Sequence, residues 1–245
     1  MNPTLNEKAL RSSLDLGLEE KPMSINGTIL KTCFLGILMM VTFAYNWTLI
    51  LSGFADKAIM LSKLGFFAAF ALVLIICFAP KNKFLMVTTS LYALCEGLLL
   101  GYISALANTY YPGVASQAAI GTFFALFGMF ILYKFNIIKC TDKFRMVLFN
   151  TTFAIFGIYL VQIILNVFNI SIPFIFSNSP IGIGFSIVVV AIASFNLIVD
   201  FHLIENMSDQ MPKYMEWYCG FSLMVTLIWM YLEILNLLMK FQSRN

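Results

Sequence analysis

Charge is what this sequence has least of. Only 11% of its 245 residues are charged and 60% are hydrophobic, whereas about a quarter of the residues of a soluble domain are charged. This scarcity excludes an ordinary soluble domain and indicates the membrane class. The net charge of +3 is small, and no basic cluster alternates with aromatic residues, so we expect no nucleic-acid partner.

Metal ligands and nucleophiles are also scarce. The chain has one histidine, His202, and five scattered cysteines without a CxxC pair, so no grouping has the spacing of a metal site. Ser222 lacks the flanking glycine of a GxSG segment, and a GxGD segment is absent. These absences argue against serine and aspartyl intramembrane hydrolases. We expect neither an enzyme nor a resident cofactor, and at most a transiently bound Ca²⁺.

Long apolar runs are abundant. A hydrocarbon core of ~30 Å requires roughly twenty apolar residues in a helix, and seven segments reach that length. They are Ile29–Leu51, Ala58–Phe78, Phe84–Ala107, Val114–Phe135, Met146–Phe168, Ile181–Ile204 and Tyr218–Leu238. The sequence therefore predicts an all-α integral membrane protein with seven transmembrane helices.

The domain organisation follows from these spans. Residues 1–28 are polar and lack the apolar stretch of a signal peptide, and they predict an amino-terminal arm. The transmembrane domain should cover residues 29–240, followed by a short tail, 241–245. Basic residues concentrate in the arm and in the second-to-third and fourth-to-fifth connections, which predicts a cytoplasmic amino terminus. Lys240 and Arg244 oppose this bias and leave open a last helix that does not fully cross.

Three acidic residues lie within or close to the apolar spans: Glu96, Asp200 and Glu233. A charged residue at the centre of a membrane helix costs ~2.5–3.5 kcal/mol, so such residues usually face the bundle interior and have partners. Glu96 and Glu233 lie deep in the third and seventh spans, and Asp200 lies near the cytoplasmic end of the sixth. The sequence leaves open whether each acid is functional or only structural.

Polar neighbours share the helix faces of these acids at a spacing of three or four residues. The pairs are Asn196 with Asp200, Asn236 with Glu233, and Tyr92 with Glu96. This spacing predicts a hydrogen-bonded or hydrated stripe that lines a path. The segment GLLLG, Gly97–Gly101, should let another helix approach closely beside Glu96.

Other charges near the spans have simpler interpretations. His202 lies about 200° around the helix from Asp200, so we expect a satisfied or interfacial histidine. Asp209 and Glu216 are predicted to be solvated loop charges. Lys81 and Lys83 should fix the topology, although either could reach an acid at the cytoplasmic mouth.

Two carboxyls in one dry site would form a proton-sensitive element. Desolvation and like charge both favour the protonated form, and a close pair titrates as a unit in two separated steps. One member can then change protonation near neutral pH. When ionised, the pair offers hard oxygen ligands suited to Ca²⁺.

Several segments, in order, resemble the bacterial branch of the Bax inhibitor family of membrane proteins. They are NPTLNEKAL, MSINGTILKT, LYALCEGLLLGYIS, LIVDFHLIE and MEWYCGFSLMVTLIWMYLEILNLL. The resemblance covers nearly the whole chain. It implies a central last helix wrapped by two layers of three helices, and a location in the bacterial inner membrane. It also implies a pH-sensitive calcium leak, or modulation of cell death or of membrane protease quality control.

The resemblance further implies a pH-sensing pair of acids on the sixth and seventh helices, latched by a basic residue. Asp200 matches the first acid, and Glu233 matches the second with glutamate in place of aspartate. Lys81 or Lys83 falls near the latch position. The same two acids would be the Ca²⁺ ligands, and Glu96 is an additional acid that could partner either one.

The leading hypothesis is a passive, pH-gated Ca²⁺ leak through Asp200, Glu233 and Glu96. The alternative is a non-conducting regulator of a membrane protease or of a stress or cell-death pathway. A proton-coupled transporter fits less well, because we find neither repeats nor matching Gly/Pro-broken helices. The lipid bilayer is the expected environment, and the sequence names neither a membrane protein partner nor an oligomeric state.

Overall fold

The structure, a computed structural model, describes residues 22–168 and 177–244. Seven helices lie in those ranges: α1 Ile25–Leu51, α2 Ala55–Phe78, α3 Leu85–Tyr110, α4 Val114–Lys134, α5 Asp142–Val167, α6 Pro180–Met207 and α7 Met215–Gln242. All seven are long and apolar enough to cross a membrane. The prediction of an all-α protein with seven membrane helices is confirmed, and the central position of the last helix stays a prediction.

The helices extend beyond the apolar runs because polar caps begin them. Ser24 accepts a hydrogen bond from the backbone N–H of Gly27 at 3.0 Å, so α1 begins at Ile25. Thr141 accepts one from the N–H of Phe144 at 3.2 Å, so α5 begins at Asp142. Such caps satisfy the first free N–H groups of a helix. Residues 1–21 of the predicted arm, and Asn245, lie outside the described residues.

The described chain forms two compact units. Unit A comprises residues 111–168, 177–201 and 226–244, and holds α4, α5, most of α6 and the later part of α7. Unit B comprises residues 22–110 and 202–225, and holds α1, α2, α3, the end of α6 and the start of α7.

Two glycines bring α1 and α3 close together in unit B. A Cβ atom at Gly97 would overlap the carbonyl of Met39, and one at Gly101 would overlap the carbonyl of Phe43. The predicted close approach at the GLLLG segment is therefore confirmed, and α1 is the helix that approaches. Small residues allow this contact because backbone can pack directly against backbone.

A buried amide also ties the three long helices of unit B together. Asn46 of α1 donates from Nδ2 to the hydroxyl of Ser62 on α2 at 2.8 Å and to the carbonyl of Leu98 on α3 at 2.6 Å. In an apolar surrounding such bonds are retained, because breaking them would leave buried polar groups unsatisfied.

In unit A, α6 and α7 run antiparallel. The hydroxyl of Ser194 lies 3.5 Å from the sulfur of Met230, and the hydroxyl of Ser186 lies 2.9 Å from the ammonium of Lys240. Later residues of α7 therefore contact earlier residues of α6. This register determines which polar side chains meet.

Candidate functional site

Asp200 is buried on α6 and accepts a hydrogen bond from Thr226 of α7. The distance from Thr226 Oγ1 to Asp200 Oδ2 is 2.5 Å, and Asp200 is 4% exposed. A hydroxyl group both donates and accepts, so Thr226 can remain bonded to the carboxyl whether it is ionised or protonated. Sequence reasoning missed Thr226, although it lies seven residues before Glu233 and therefore nearly on the same face of α7.

Glu233 is buried on α7 and is held through one of its two oxygens. Its Oε1 accepts from the hydroxyl of Tyr159 on α5 at 2.7 Å and from the indole N–H of Trp229 at 3.1 Å. Its Oε2 is buried and has no hydrogen-bond partner among the described residues. One carboxylate oxygen is therefore fixed, while the other is open to a proton or a cation.

The two acids occupy different levels of unit A. Thr226, the partner of Asp200, and Glu233 are seven residues apart on α7, a rise of about 10 Å. Met230 and Leu197, both fully buried, lie in this interval. Each acid thus has its own hydrogen-bond donors, and a shared site for the two carboxyls stays a prediction.

The two predicted path-lining asparagines are both partly buried. Asn196 donates from Nδ2 to the hydroxyl of Thr152 on α5 at 3.0 Å and to the carbonyl of Ile192 at 2.9 Å. Asn236 lies one turn after Glu233 and is partly exposed. The amide of Asn196 therefore joins α6 to α5, one turn from Asp200.

Glu96 is buried on α3 and belongs to unit B, whereas Asp200 and Glu233 belong to unit A. Its role as their partner stays a prediction. Tyr92, one turn earlier on α3, is also buried, and its ring meets the ring of Phe221 edge-on at 4.9 Å. Tyr92 therefore contributes to the aromatic packing of unit B.

The two predicted latch lysines differ in exposure: Lys81 is buried and Lys83 is exposed. The ammonium of Lys81 donates to the carbonyls of Ile76 at 2.5 Å and Cys77 at 3.0 Å, and lies 4.9 Å from the ring centroid of Tyr218. Burial lowers the pKa of Lys81. Lys81 thus caps the carboxyl-terminal end of α2, and a latch formed with an acid stays a prediction.

The prediction that Glu216 is a solvated loop charge is wrong. Glu216 is 1% exposed, accepts a hydrogen bond from the backbone N–H of Ser24 at 2.9 Å and forms an ion pair with Lys31. A Cβ atom at Gly27 would overlap its carboxylate. The niche exists because α1 has no side chain at Gly27, which a local reading of the sequence around Glu216 could not show.

The same part of unit B fixes the chain that enters α1. The N–H of Met23 donates to the carbonyl of Met211 at 2.7 Å, and the N–H of Asp209 donates to the carbonyl of Met23 at 3.0 Å. Asp209 is exposed, as predicted. His202 is satisfied, as predicted, because its Nε2 lies 2.9 Å from the amide nitrogen of Asn206.

The donor set around the acids limits how tightly a metal could bind. Within residues 22–168 and 177–244, no group of three or more His, Cys, Asp or Glu side chains could hold a metal ion. Asp200 and Glu233 each bring one carboxylate to their own level of α7, and Ca²⁺ takes six to eight oxygen ligands. Neutral oxygens and water would have to supply the remaining ligands.

Seven helices of the described residues are long and apolar enough to cross a membrane, and they define an integral, multi-pass membrane protein. The chain belongs to the Bax inhibitor family, because the family model described as Bax inhibitor 1 like matches residues 2–243, nearly the whole chain. No curated protein and no solved structure matches it.

Proposed function

We propose that this protein is a pH-sensitive passive leak pathway for cations, with Ca²⁺ as the conducted ion and Asp200 and Glu233 as the proton-sensing groups. One observation supports the proposal most. Two buried carboxyls lie at successive levels of unit A and accept hydrogen bonds from the neutral donors Thr226, Tyr159 and Trp229.

Neutral donors suit a group that has to gain and lose a proton. An ion pair favours the charged form of a carboxyl strongly, whereas a hydroxyl group accommodates either form. The hydroxyl of Thr226 can donate to ionised Asp200 and accept from its protonated form. Glu233 can take up a proton on its open Oε2 while Oε1 keeps the bonds from Tyr159 and Trp229.

The same arrangement suits a leak better than a storage site. Conduction requires binding that is favourable enough for an ion to enter and weak enough for it to leave, and several sites in series serve this purpose. Two single carboxylates about two helical turns apart on α7 would form such a series. Protonation of either acid would remove the charge that attracts the cation at that level.

The remaining predicted residues have supporting roles in this proposal. The proposal keeps Glu96 as the third acidic ligand and Lys81 as the basic latch. The alternative function is that of a non-conducting membrane regulator of a protease or of a stress pathway.

The excess of Lys and Arg in alternate connections supports a cytoplasmic amino terminus, and we place the protein in a bacterial inner membrane.

Flux measurements in proteoliposomes test this function. Purified protein should release trapped Ca²⁺ down its gradient, with a rate that depends on pH. Asp200→Asn and Glu233→Gln should each flatten the dependence of the rate on pH, because the amide cannot titrate. Asp56→Asn is the matched control, since Asp56 is an exposed acid of α2 and its loss should leave the profile unchanged.

Three outcomes decide between the alternatives. A pH profile that survives both substitutions would reject Asp200 and Glu233 as the sensing groups. A complete lack of flux would favour the non-conducting regulator. Uphill movement of Ca²⁺ driven by a proton gradient would indicate a coupled transporter instead of a leak.

A further inference from the structure

The segment that joins α4 to α5 carries the excess positive charge of the chain. Residues 134–145 hold four basic residues and one acid, a net charge of +3: Lys134, Lys139, Lys143 and Arg145 against Asp142. The formal net charge of the whole chain is also +3. The rest of the chain is therefore neutral on balance, and the excess lies in one short segment.

The backbone of this connection is held against the end of α4. The N–H of Ile137 donates to the carbonyl of Leu132 at 3.0 Å, and the N–H of Asn136 donates to the carbonyl of Tyr133 at 2.9 Å. With Asn136 at a φ of 54°, these two bonds form a Schellman motif. Only residues 135–141 separate α4 from α5, and a chain this short that has to return can rise about 12 Å at most. The connection therefore stays near the ends of both helices.

Two large apolar side chains of the connection are exposed. Phe135 is 70% exposed and Ile137 is 65% exposed, and they alternate along the chain with Lys134 and Lys139. Amphipathic segments of this composition lie at the boundary between lipid headgroups and acyl chains, where the apolar groups leave water and the ammonium groups stay in it. The connection therefore has the composition of a membrane-surface anchor.

Two of its positive charges are not neutralised by the folded chain. Arg145 forms an ion pair with Asp142. Lys139 and Lys143 are exposed, and neither has a hydrogen bond or an ion pair within residues 22–168 and 177–244. Lys143 also lies in the first turn of α5, where the helix macrodipole disfavours a cation. Both ammonium groups are thus open to an anionic partner.

Other lysines near helix ends interact with the protein itself. Lys81 donates to two carbonyls at the end of α2, and Lys31 is paired with Glu216. The lysines of the α4–α5 connection differ because they point away from such partners and lie beside exposed apolar side chains.

We propose that the α4–α5 connection is a docking surface for anionic phospholipid headgroups, at which Lys139 and Lys143 bind the phosphate while Phe135 and Ile137 face the acyl chains. The charge is opposite to that of a phosphate, and the segment lies at the ends of two helices long enough to cross a membrane. Clusters of about four to eight Lys and Arg next to a membrane helix are typical of anionic lipid recognition. This docking surface is independent of the proposed leak.

Lipid-dependent thermal unfolding in a neutral detergent tests the docking surface. Phosphatidylglycerol should raise the Tm of the purified protein saturably and phosphatidylcholine should raise it less, because a ligand that binds the folded state stabilises it. In the double variant Lys139→Gln, Lys143→Gln, the phosphatidylglycerol concentration at half of the rise should increase about tenfold or more. The wild-type rise should also shrink in concentrated NaCl, because salt screens exposed charges.

The matched control is the double variant Lys57→Gln, Lys213→Gln, which removes the same two charges at exposed positions outside the connection. It should respond to phosphatidylglycerol as the wild type does. An equal weakening in both double variants would overturn the docking surface, because general attraction would then suffice. An equal rise of the wild-type Tm with sodium phosphate, relative to sodium chloride at the same ionic strength, would also overturn it, because the site would then be one for free phosphate.

The apolar part of the surface has its own test. The double variant Phe135→Ser, Ile137→Ser leaves the charge unchanged and should raise the half-saturating concentration of phosphatidylglycerol several-fold. An unchanged value would overturn the contact of these side chains with acyl chains.

Lysine acylation locates the surface on the wild-type chain. An amine-directed reagent should modify Lys139 and Lys143 several-fold more slowly in nanodiscs of phosphatidylglycerol than in nanodiscs of phosphatidylcholine. Lys213, in the connection between α6 and α7, is the reference amine and corrects for the lower pH at an anionic surface. Rates that are equal in the two lipids, relative to Lys213, would overturn the proposal. Slow modification in both lipids would show that a protein segment covers these lysines instead of a lipid.

Discussion

The two units hold their buried acids in different ways. In unit B, Glu216 is paired with the ammonium of Lys31 and accepts from the backbone and hydroxyl of Ser24. In unit A, Asp200 and Glu233 accept from hydroxyl and indole groups. A charged partner holds a carboxyl in its ionised form, whereas neutral donors leave protonation free to vary. Burial alone therefore does not separate these acids, and the proposed function assigns proton sensing to Asp200 and Glu233.

The largest expected effect comes from breaking the ion pair of unit B. Glu216→Gln leaves the ammonium of Lys31 without its partner, and Lys31 is only 18% exposed. Removal of one member of a buried pair destabilises a protein by about 3–5 kcal/mol, and we expect the lower end because Lys31 retains some contact with water. Unfolding in mild detergent, measured by circular dichroism, gives this loss.

Removing the second charge sharpens the result. The double variant Lys31→Met, Glu216→Gln should recover much of the lost stability, because no uncompensated charge then stays buried. Asp56→Asn, at an exposed acid, should change the free energy of unfolding little. If Glu216→Gln were as stable as the wild type, the ion pair of unit B would not stabilise the protein, and the comparison of the two units would be wrong.

A smaller loss, about 2 kcal/mol, is expected when the niche for Glu216 is filled. In Gly27→Ala the new methyl group overlaps the carboxylate of Glu216 and displaces it from Lys31. Gly36→Ala is the matched control on α1, because a Cβ there meets nothing within 4 Å.

The two alanines should act in opposite directions. Gly36→Ala should be neutral or stabilising by up to ~1 kcal/mol, since alanine loses less entropy than glycine in a helix. Thermal unfolding of both variants, measured side by side, gives the difference. Equal effects at the two positions would show that Gly27 matters only as a flexible residue.

In unit A, Thr226→Val should lower the free energy of unfolding by about 1–2 kcal/mol. A methyl group then replaces the hydroxyl that donates to Asp200. Thr226→Ser retains the hydroxyl and should be close to the wild type in stability. The difference should shrink at acid pH, because a hydrogen bond to an ionised carboxylate is stronger than one to a neutral carboxyl. Chemical unfolding at two pH values measures it, and a cost that is independent of pH would indicate packing alone.

The smallest effect concerns Lys81, whose pKa is lowered by burial. As pH rises between the lowered pKa and the ordinary lysine value, folded Lys81 loses its proton while the unfolded chain still binds one. Stability therefore increases with pH in this window. Lys81→Met should remove that part of the rise in Tm, and exposed Lys83→Met should not. Parallel curves for the wild type and Lys81→Met would contradict the expectation.

Much of the fold could be predicted because membrane helices are long apolar runs, and hydropathy detects them directly. The ends could not: α1 begins at Ile25 instead of Ile29, and α5 at Asp142 instead of Met146. Caps such as Ser24 and Thr141 carry these helices through polar residues, and hydropathy does not register a cap.

The acids of the site were visible as polar exceptions in apolar spans, but their partners were not. Thr226 looks unremarkable in its run, and its contact with Asp200 depends on the register of α6 against α7. Glu216 was misassigned because its niche lies on α1, 192 residues away at Ser24. Thr226, Glu233 and Lys240 follow one another at a spacing of seven residues. This spacing is the one local signal that could have indicated that they share a face of α7.

That spacing has a mechanical consequence. Seven residues turn a helix through almost two full revolutions, so each of these three side chains lies only about 20° around α7 from the last. A torsion of α7 about its own axis would therefore swing Thr226, Glu233 and Lys240 away from α5 and α6 in one movement. The hydroxyl, the carboxylate and the ammonium would therefore move together, and a rotation of α7 caused at one of them would also displace the other two.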